Sequence, residues 1–358
     1  MSTKGSRRQS SAPTIADVAE HAGVSPMTVS RVINDHKTVR PETRERVEQA
    51  IAKLNYEPSP AARTLAGAKE TRIGLLYSNP SASYLSEFLM GSLDQASRLN
   101  VLLTVEKFAD DMTVDRVIDH LHRARVFGVV LPPPLCDSND MLAALKAASI
   151  YTVAVATGHI RTDVSSVNID DQLAAEEMTR HLLTMGHKRI GFIKGNPDIS
   201  ASERRFAGYC AALAEAGVPF DPALVAQGLF TYRSGLDASE HILDQAVPPT
   251  AIFASNDDMA AATMAIAHGR GLDVPGDLTV CGFDDTPLAT AIWPELTTIR
   301  QPISDMARSA VDLLVQHLRN GTPADDADPA EAVTHVRMDY QFVRRQSDAA
   351  PRRKPRKR

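Results

Sequence analysis

TIADVAEHAGVSPMTVSRVINDHKTVRPETRERVEQAIAKLNYEPSPAARTLAG, residues 14–67, is the stretch on which the reading of this chain turns. Ile15, Val18, Ala19 and Ala22 recur at the spacing of one helix face. Thr14 precedes them as an N-cap, and Asp17 puts a carboxylate in the first turn, where exposed N–H groups and the helix dipole favour it. Gly23 supplies a turn. Ser25 caps a second helix that opens on Pro26, where a missing N–H costs nothing. There Val29, Val32 and Ile33 face inward, leaving Met27, Thr28, Ser30, Arg31 and Asn34 largely outward. Two short helices around a glycine turn predict a helix-turn-helix, whose second helix enters the major groove of DNA. Helical hairpins also serve as plain packing modules, but hydroxyls, an amide and one Arg on the outer face suit phosphates and base edges. A third helix is expected over 41–54, with Val47, Ala50, Ile51 and Leu54 inward. The segment 56–67 is too short to hold a helix alone in water, so it would fold only against a partner.

At 358 residues the chain is long enough for two or three domains. Its 43% hydrophobic and 23% charged content is ordinary for a globular protein. There is no apolar run of membrane-spanning length, and residues 1–13 lack a secretory h-region, so a cytoplasmic protein, nucleoid-associated when on DNA, is expected. Cys136, Cys210 and Cys281 have no metal or redox spacing and read as reduced core residues. The net charge of −5 is unevenly spread. Residues 1–70 hold 11 Lys and Arg against 8 Asp and Glu, and residues 344–358 hold 8 against 1, so the middle is strongly acidic. Such a chain meets a polyphosphate only at its ends. The tail from residue 344 reads as basic and disordered, serving non-specific DNA affinity or mere solubility.

After Gly67 the pattern changes to short apolar runs alternating with amphipathic helices. Strands are expected at 72–77, 101–105, 128–131 and 151–156, then at 189–193, 226–230, 251–255 and 279–282, with helices between them. This is the rhythm of parallel sheets covered on both faces, in two doubly wound halves with a cleft between strand ends. The chain then crosses back. A helix over 304–319 suits the first lobe, and a last strand over 335–343 is expected to return to the second. Several crossings make a hinge, which lets two lobes close on a ligand.

The whole chain from about residue 14 to 343 resembles the lactose/galactose repressor family. The carrying motifs are T-I-x-D-V-A-x-x-A-G-V-S from Thr14, T-V-S-R-V-I-N from Thr28, T-R-x-R-V from Thr43, L-N-Y-x-P from Leu54 and A-x-x-L-A-G from Ala62. In the body they are M-G-H-K-R-I from Met185, S-N-D from Ser255, G-F-D-D from Gly282 and L-T-T-I-R-Q-P from Leu296. The resemblance implies an α/β protein with an N-terminal all-α helix-turn-helix domain and a two-lobed body like the periplasmic binding proteins. The expected domains are a disordered arm at 1–13, the DNA-binding domain at 14–57, a hinge helix and linker at 58–70, the body at 71–343 and a tail at 344–358. Within the body the first lobe covers about 71–165 and 302–330, and the second about 166–301 and 331–343.

Carried over position by position, Pro26, Met27 and Arg31 would touch base edges, and Thr14, Thr28, Ser30 and Asn34 the DNA backbone. Ala62 and Leu65 would lie on a hinge helix in the minor groove, Leu65 acting as a wedge. Pro26 and Met27 are poor in hydrogen-bonding groups, so base choice would rest on Arg31 and on a methionine–methyl contact. Arg40 replaces the usual Ser or Thr cap of the third helix, at about 1 kcal/mol. In the body Arg205, Asn256 and Asp284, with Tyr84 and Phe230, fall at effector-contacting positions. Guanidinium, amide and carboxylate over aromatic walls suit vicinal hydroxyls. Asn256 and Asp284 also read as caps of following elements, Phe230 as core, and Arg204 instead of Arg205 as the cleft residue. Ala156 stands where the family often has an acid.

Enzyme motifs are lacking: there is no Gly-x-Ser-x-Gly, no Walker loop and no His-Glu-x-x-His. Asp119-His120-Leu121-His122 puts its histidines on positions that do not converge, and Lys194-Gly195-Asn196 alone is weak evidence for phosphate. No cofactor or catalytic residue is expected. The reading is a homodimeric repressor of sugar-utilisation genes on near-palindromic double-stranded operator DNA, controlled by a sugar-like effector, with no membrane partner. The rivals are a ligand-independent architectural DNA binder, a sugar-binding protein without regulation, and a dinucleotide-dependent enzyme, which would need a Gly-x-Gly-x-x-Gly after its first strand.

Overall fold

A computed structural model describes residues 13–33, 39–56, 71–109, 112–320 and 333–352. The N-terminal arm up to residue 12, Asn34, the hinge segment with Ala62 and Leu65, and residues 353–358 lie outside the described residues. The chain divides into two compact units, 1–70 and 71–358.

The first unit is three helices, α1 (Ile15–Ala22), α2 (Pro26–Ile33) and α3 (Pro41–Leu54). Thr14 and Asp17 form a reciprocal capping box at the start of α1. Gly23 ends that helix at φ 65°, the left-handed conformation that a residue without Cβ adopts freely. Val18, Ala19, Val29, Val32, Val47, Ala50 and Tyr56 are buried together. All but Tyr56, which follows α3, are the inward stripes of the three helices, so local periodicity and tertiary core agree. Arg40 caps α3 without a side-chain hydrogen bond; its carbonyl accepts from the Thr43 and Arg44 N–H groups, and Pro41 at the first position has no N–H to satisfy.

The second unit holds two larger sheets and a two-stranded ribbon. The first runs β11-β5-β4-β3-β1-β2 and the second β7-β6-β8-β9, and every pairing in both is parallel. The strands of the first are β1 (Arg72–Tyr77), β2 (Leu102–Lys107), β3 (Gly128–Leu131), β4 (Tyr151–Val155), β5 (Ser165–Asn168) and β11 (His335–Arg337). Those of the second are β6 (Ile190–Lys194), β7 (Val225–Gln227), β8 (Ala251–Ala254) and β9 (Thr279–Cys281). Helices α4 (Ala82–Arg98), α5 (Val114–Arg123) and α6 (Asn139–Ala147) cover the first sheet with α12 (Ile303–Asn320), which packs on α4 and on β3, β4 and β5. Helices α7 (Asp171–Thr184), α8 (Ser200–Glu215), α9 (Tyr232–Leu243) and α10 (Asp257–Gly269) cover the second, and a short α11 (Leu288–Ala291) follows β9. Central strands such as β3 and β8 are buried at every residue, as strands covered on both faces must be.

Three expectations need correction. The lobe boundary does not fall at residue 165: β5 pairs with β4 in the first sheet, because Ser165, Ser166 and Asn168 find buried partners between β4 and β11. The last strand does not simply return to the second lobe. It is two strands: β11 joins the first sheet beside β5, and β12 (Gln341–Val343) pairs antiparallel with β10 (Thr298–Arg300) at the crossing. The tail is not disordered from residue 344. Ser347 and Asp348 are 0% and 6% exposed, and Ser347 bonds the backbone of Val280, so residues 344–352 lie on the second lobe despite their arginines. The lobes are therefore joined by three crossings, after β5, after β10 and between β11 and β12.

Candidate nucleic-acid interface and ligand cleft

On the first unit, α2 presents Pro26, Met27 and Arg31 exposed, with Met27 64% accessible, and Thr28 and Ser30 partly so. The Ser25 hydroxyl accepts the Thr28 N–H at 3.2 Å and so caps the helix while fixing its entry. Among the described residues Arg31 has neither ion pair nor hydrogen bond. Thr14 is spent internally: its N–H and its hydroxyl both donate to Asp17 at 2.7 Å. The remaining donors of that turn are the N–H groups of Ile15 and Ala16, at the positive end of α1. The unit thus carries a small apolar core and, on its outer face, one guanidinium with no partner among the described residues.

In the second unit, Tyr84, Arg205, Phe230, Asn256 and Asp284 line one cavity between the two lobes. Tyr84 comes from α4 of the first lobe; the other four follow β6, β7, β8 and β9 of the second, at the carboxyl ends of the sheet where open α/β folds bind ligands. Arg205, 4% exposed on the second turn of α8, donates from Nε to Asp171 at 2.8 Å and from Nη1 to the Ser255 carbonyl at 2.6 Å. The same nitrogen lies 3.5 Å from Asp284, and the guanidinium sits 3.7 Å over the Phe283 ring. Arg204 does not line this cavity. Asn256 does two things at once: its Oδ1 caps α10 through the Met259 N–H at 3.0 Å, and its Nδ2 donates to the Phe230 carbonyl at 3.1 Å. Phe230 is at φ 60°, and its ring fills the space over Gly195, where any Cβ would come within 2.0 Å of it. Gly195 is therefore a seat for an aromatic ring, and its glycine is explained without phosphate.

Several lining groups escaped the sequence reading. Gln301 donates to Asp284 at 2.6 Å, and among the described residues its Oε1 is buried without a partner, as is the hydroxyl of Tyr84. Orphaned buried oxygens cost free energy unless something donates to them, so these two mark where a polar ligand gains. Gln301 belongs to the quoted L-T-T-I-R-Q-P motif; nothing local marked Asn79 or Ser81 except a helix start. Ala156, at φ 56°, lines the cavity and offers no acceptor. The nearby carboxylate of Asp137 is taken by Ser200 N–H and Oγ at 2.9 and 2.7 Å and by Thr157 at 2.6 Å.

Those last contacts tie the lobes together, because Asp137 and Thr157 belong to the first and Ser200 to the second. Ser81 to Asp258, at 2.6 Å, is another tie. Between them the cavity is only about 30 Å³, room for about one or two waters and not for a sugar ring. A larger ligand enters only if the lobes part. Burial dominates the acids here. It pushes Asp284 up to about 7 against the pull of Arg205 and Gln301, and it raises Asp171 against Arg205. Asp257, bonded to Thr286 and Thr298, is also raised by burial and then by Asp284.

The histidines of 119–122 diverge: His120 pairs with Glu106 at 2.8 Å, while Leu121 between them is buried. Cys136 and Cys281 are buried free thiols, and Cys210 is half-buried. No helix among the described residues is long and apolar enough to cross a membrane.

Residues 14–59 match bacterial regulatory proteins of the lacI family, and residues 179–347 match a periplasmic binding protein-like domain. Catabolite control protein A of Priestia megaterium is 33% identical over 312 residues, covering 86% of this chain and 93% of that protein. A solved complex of the transcriptional regulator CelR with cellobiose is similar at 30% identity and TM-score 0.71, covering 94% of this chain and 99% of that one. A lac repressor dimer bound to operator and the anti-inducer ONPF is similar at 28% identity and TM-score 0.74, covering 95% and 100%.

Proposed function

The chain belongs to the lacI family of bacterial regulatory proteins, DNA-binding transcription regulators, and we propose that it is a cytoplasmic, dimeric repressor of carbohydrate-utilisation genes whose operator affinity is set by a sugar-like effector. It is not an enzyme in this reading. The observation that carries the effector half is the buried Arg205, held between Asp171 and Asp284 at the strand ends, with the orphaned oxygens of Tyr84 and Gln301 beside it. A hydroxyl donated to Gln301 or Tyr84 relieves an unpaired acceptor, and Phe230 supplies an apolar wall for a sugar face.

On DNA, Arg31 reads a base edge, Pro26 and Met27 lie against methyl groups, and Thr28, Ser30 and Asn34 meet phosphates. The phosphate contact at Thr14 falls to the Ile15 and Ala16 N–H groups, since its own donors are spent on Asp17. Ala62 and Leu65 sit on a segment that becomes a helix in the minor groove, two copies meeting at the centre of the operator. Entry of effector breaks the Asp137–Ser200 and Ser81–Asp258 ties, and the three crossings absorb the rotation. The first lobes then change their pairing in the dimer, and the hinge segments lose their geometry on DNA. The coupling expected for such a device is about 1–3 kcal/mol per site.

The test is selection of fragments from a random duplex pool by the full chain, alone and with cellobiose, galactose or ribose. Enrichment of a near-palindrome whose recovery changes with one sugar supports the reading. A palindrome indifferent to every sugar favours the architectural binder, and no enrichment removes the regulator.

A further inference from the structure

A second and larger cavity, about 200 Å³, lies where the chain passes between the lobes. It is lined by Gly158, Asn168, Asp170, Arg204, His335 and Arg337 among others, and none of these lines the effector cleft. Its size is about six waters' worth of liquid volume, the scale of a small organic ion.

Its polar groups are incompletely used. Arg205 is fully engaged, but its neighbour Arg204 is exposed and has no ion pair or hydrogen bond among the described residues. The stem of Arg204 rests on Gly158, where a Cβ would fall 2.8 Å from its Cγ and 2.7 Å from the Ser200 backbone. That glycine lets the guanidinium sit at the cavity. Asn168, 6% exposed, donates to Ser166 at 2.8 Å, while its carboxamide oxygen is buried with no partner among the described residues. Exchange of its O and N ends would orphan the other end instead, so the unmet demand survives either assignment. Ser166 also holds one ring nitrogen of His335 at 3.0 Å, and the other has no partner among the described residues. Arg337 pairs with Asp170, and Asp171 is held by Arg205. The balance is one cation, Arg204, that holds no hydrogen-bonded partner among the described residues and acts on Asp171 only through space, beside one unsatisfied amide.

We infer that this cavity is a binding site, separate from the effector cleft, for a small hydroxylated anion. Its phosphate or carboxylate lies in the fork of Arg204, and a hydroxyl donates to Asn168. Asn168 and His335 stand on the first sheet and Arg204 on α8 of the second lobe, so the ligand bridges both lobes beside the crossings and bears on their closure. The inference does not depend on what the cleft binds.

Calorimetry on the full chain with glycerol 3-phosphate, tartrate and inorganic phosphate, each at millimolar concentration, tests it. Binding of either hydroxylated anion, weakened at least about tenfold by Arg204→Ala (about 1.4 kcal/mol) and also by Asn168→Ala, is expected. Preference between the two tells phosphate from carboxylate. Arg204 is exposed, so its variant decides the matter even if Asn168→Ala fails to fold. No binding of either hydroxylated anion, or equal binding by Arg204→Ala, overturns the inference. Inorganic phosphate bound as tightly as the hydroxylated anions means an adventitious ion only, and also overturns it. Loss of anion binding in Phe230→Ala would place the ion in the effector cleft and overturn it as well; absence of sugar binding would not.

Discussion

Arg31 and Arg205 do opposite jobs with the same side chain. Arg31 stands exposed on a small three-helix unit with nothing to hold among the described residues. Arg205 is buried in the two-lobed body and spent on Asp171, Ser255 and Asp284. A surface that reads DNA keeps its donors unspent and draws its stability from an apolar core behind them. A site that senses a ligand buries its polar groups in mutual bonds, so that a ligand works by exchanging partners and not by adding charge to water. In the first region Arg31 stands apart from the core that holds the unit together; in the second, Arg205 serves recognition and stability at once.

The largest expected effect follows from that difference. Above about pH 7, where Asp284 is ionised, Arg205→Ala leaves two acids buried without their cation, so it should there cost about 3–5 kcal/mol of stability and remove the sugar response. Chemical denaturation checks the first part; a loss under about 1 kcal/mol would mean that the acids are already neutral. Acidity gives the next effect. With its pKa raised from 3.8 to about 7, Asp284 holds a proton in the folded chain that the unfolded chain has released. Its contribution to stability is full below about pH 4 and is lost as pH rises to 7. Asp284→Asn should flatten that fall, measured as the difference between two melting curves against pH. Parallel curves would return Asp284 to an ordinary ionised acid.

On the other side of the comparison, Arg31→Ala should weaken specific operator binding by about 1–3 kcal/mol and relax one base position, leaving the melting temperature unchanged. Equal loss on random duplex would make Arg31 a phosphate contact. The smallest effect is Thr14→Ala, which undoes the capping box for about 1 kcal/mol. It should lower the stability of the first unit while specific and random DNA weaken alike. A change confined to one operator base would give Thr14 a reading role instead.

How much could be read beforehand differed between the regions for a physical reason. The three helices were legible from Thr14, Gly23, Ser25 and the Val18, Val29 and Val47 stripes, because caps and periodicity act within a few residues. Strands β1, β3 and β8 were legible as apolar runs. β5 was not assigned to its sheet, since Ser165, Ser166 and Asn168 are polar and their place is decided by β4 and by β11, some 170 residues later. The arginines of 344–352 suggested solvent, while Ser347, which carries no charge, and Asp348, the one acid among them, bury themselves on β9 and Thr297. Arg205, Asn256 and Asp284 were found by family resemblance and not by spacing. Their partners Asp171 and Gln301, and the interlobe ties at Ser81 and Asp137, show only once the chain has folded.

Fluorescence anisotropy of labelled operator titrated with the full chain, with and without a sugar that binds the Arg205 cleft, tests the central claim most directly. The account predicts that the sugar shifts operator affinity about 5- to 150-fold, and that the shift vanishes in Arg205→Ala. Superimposable curves with the cleft saturated would contradict it.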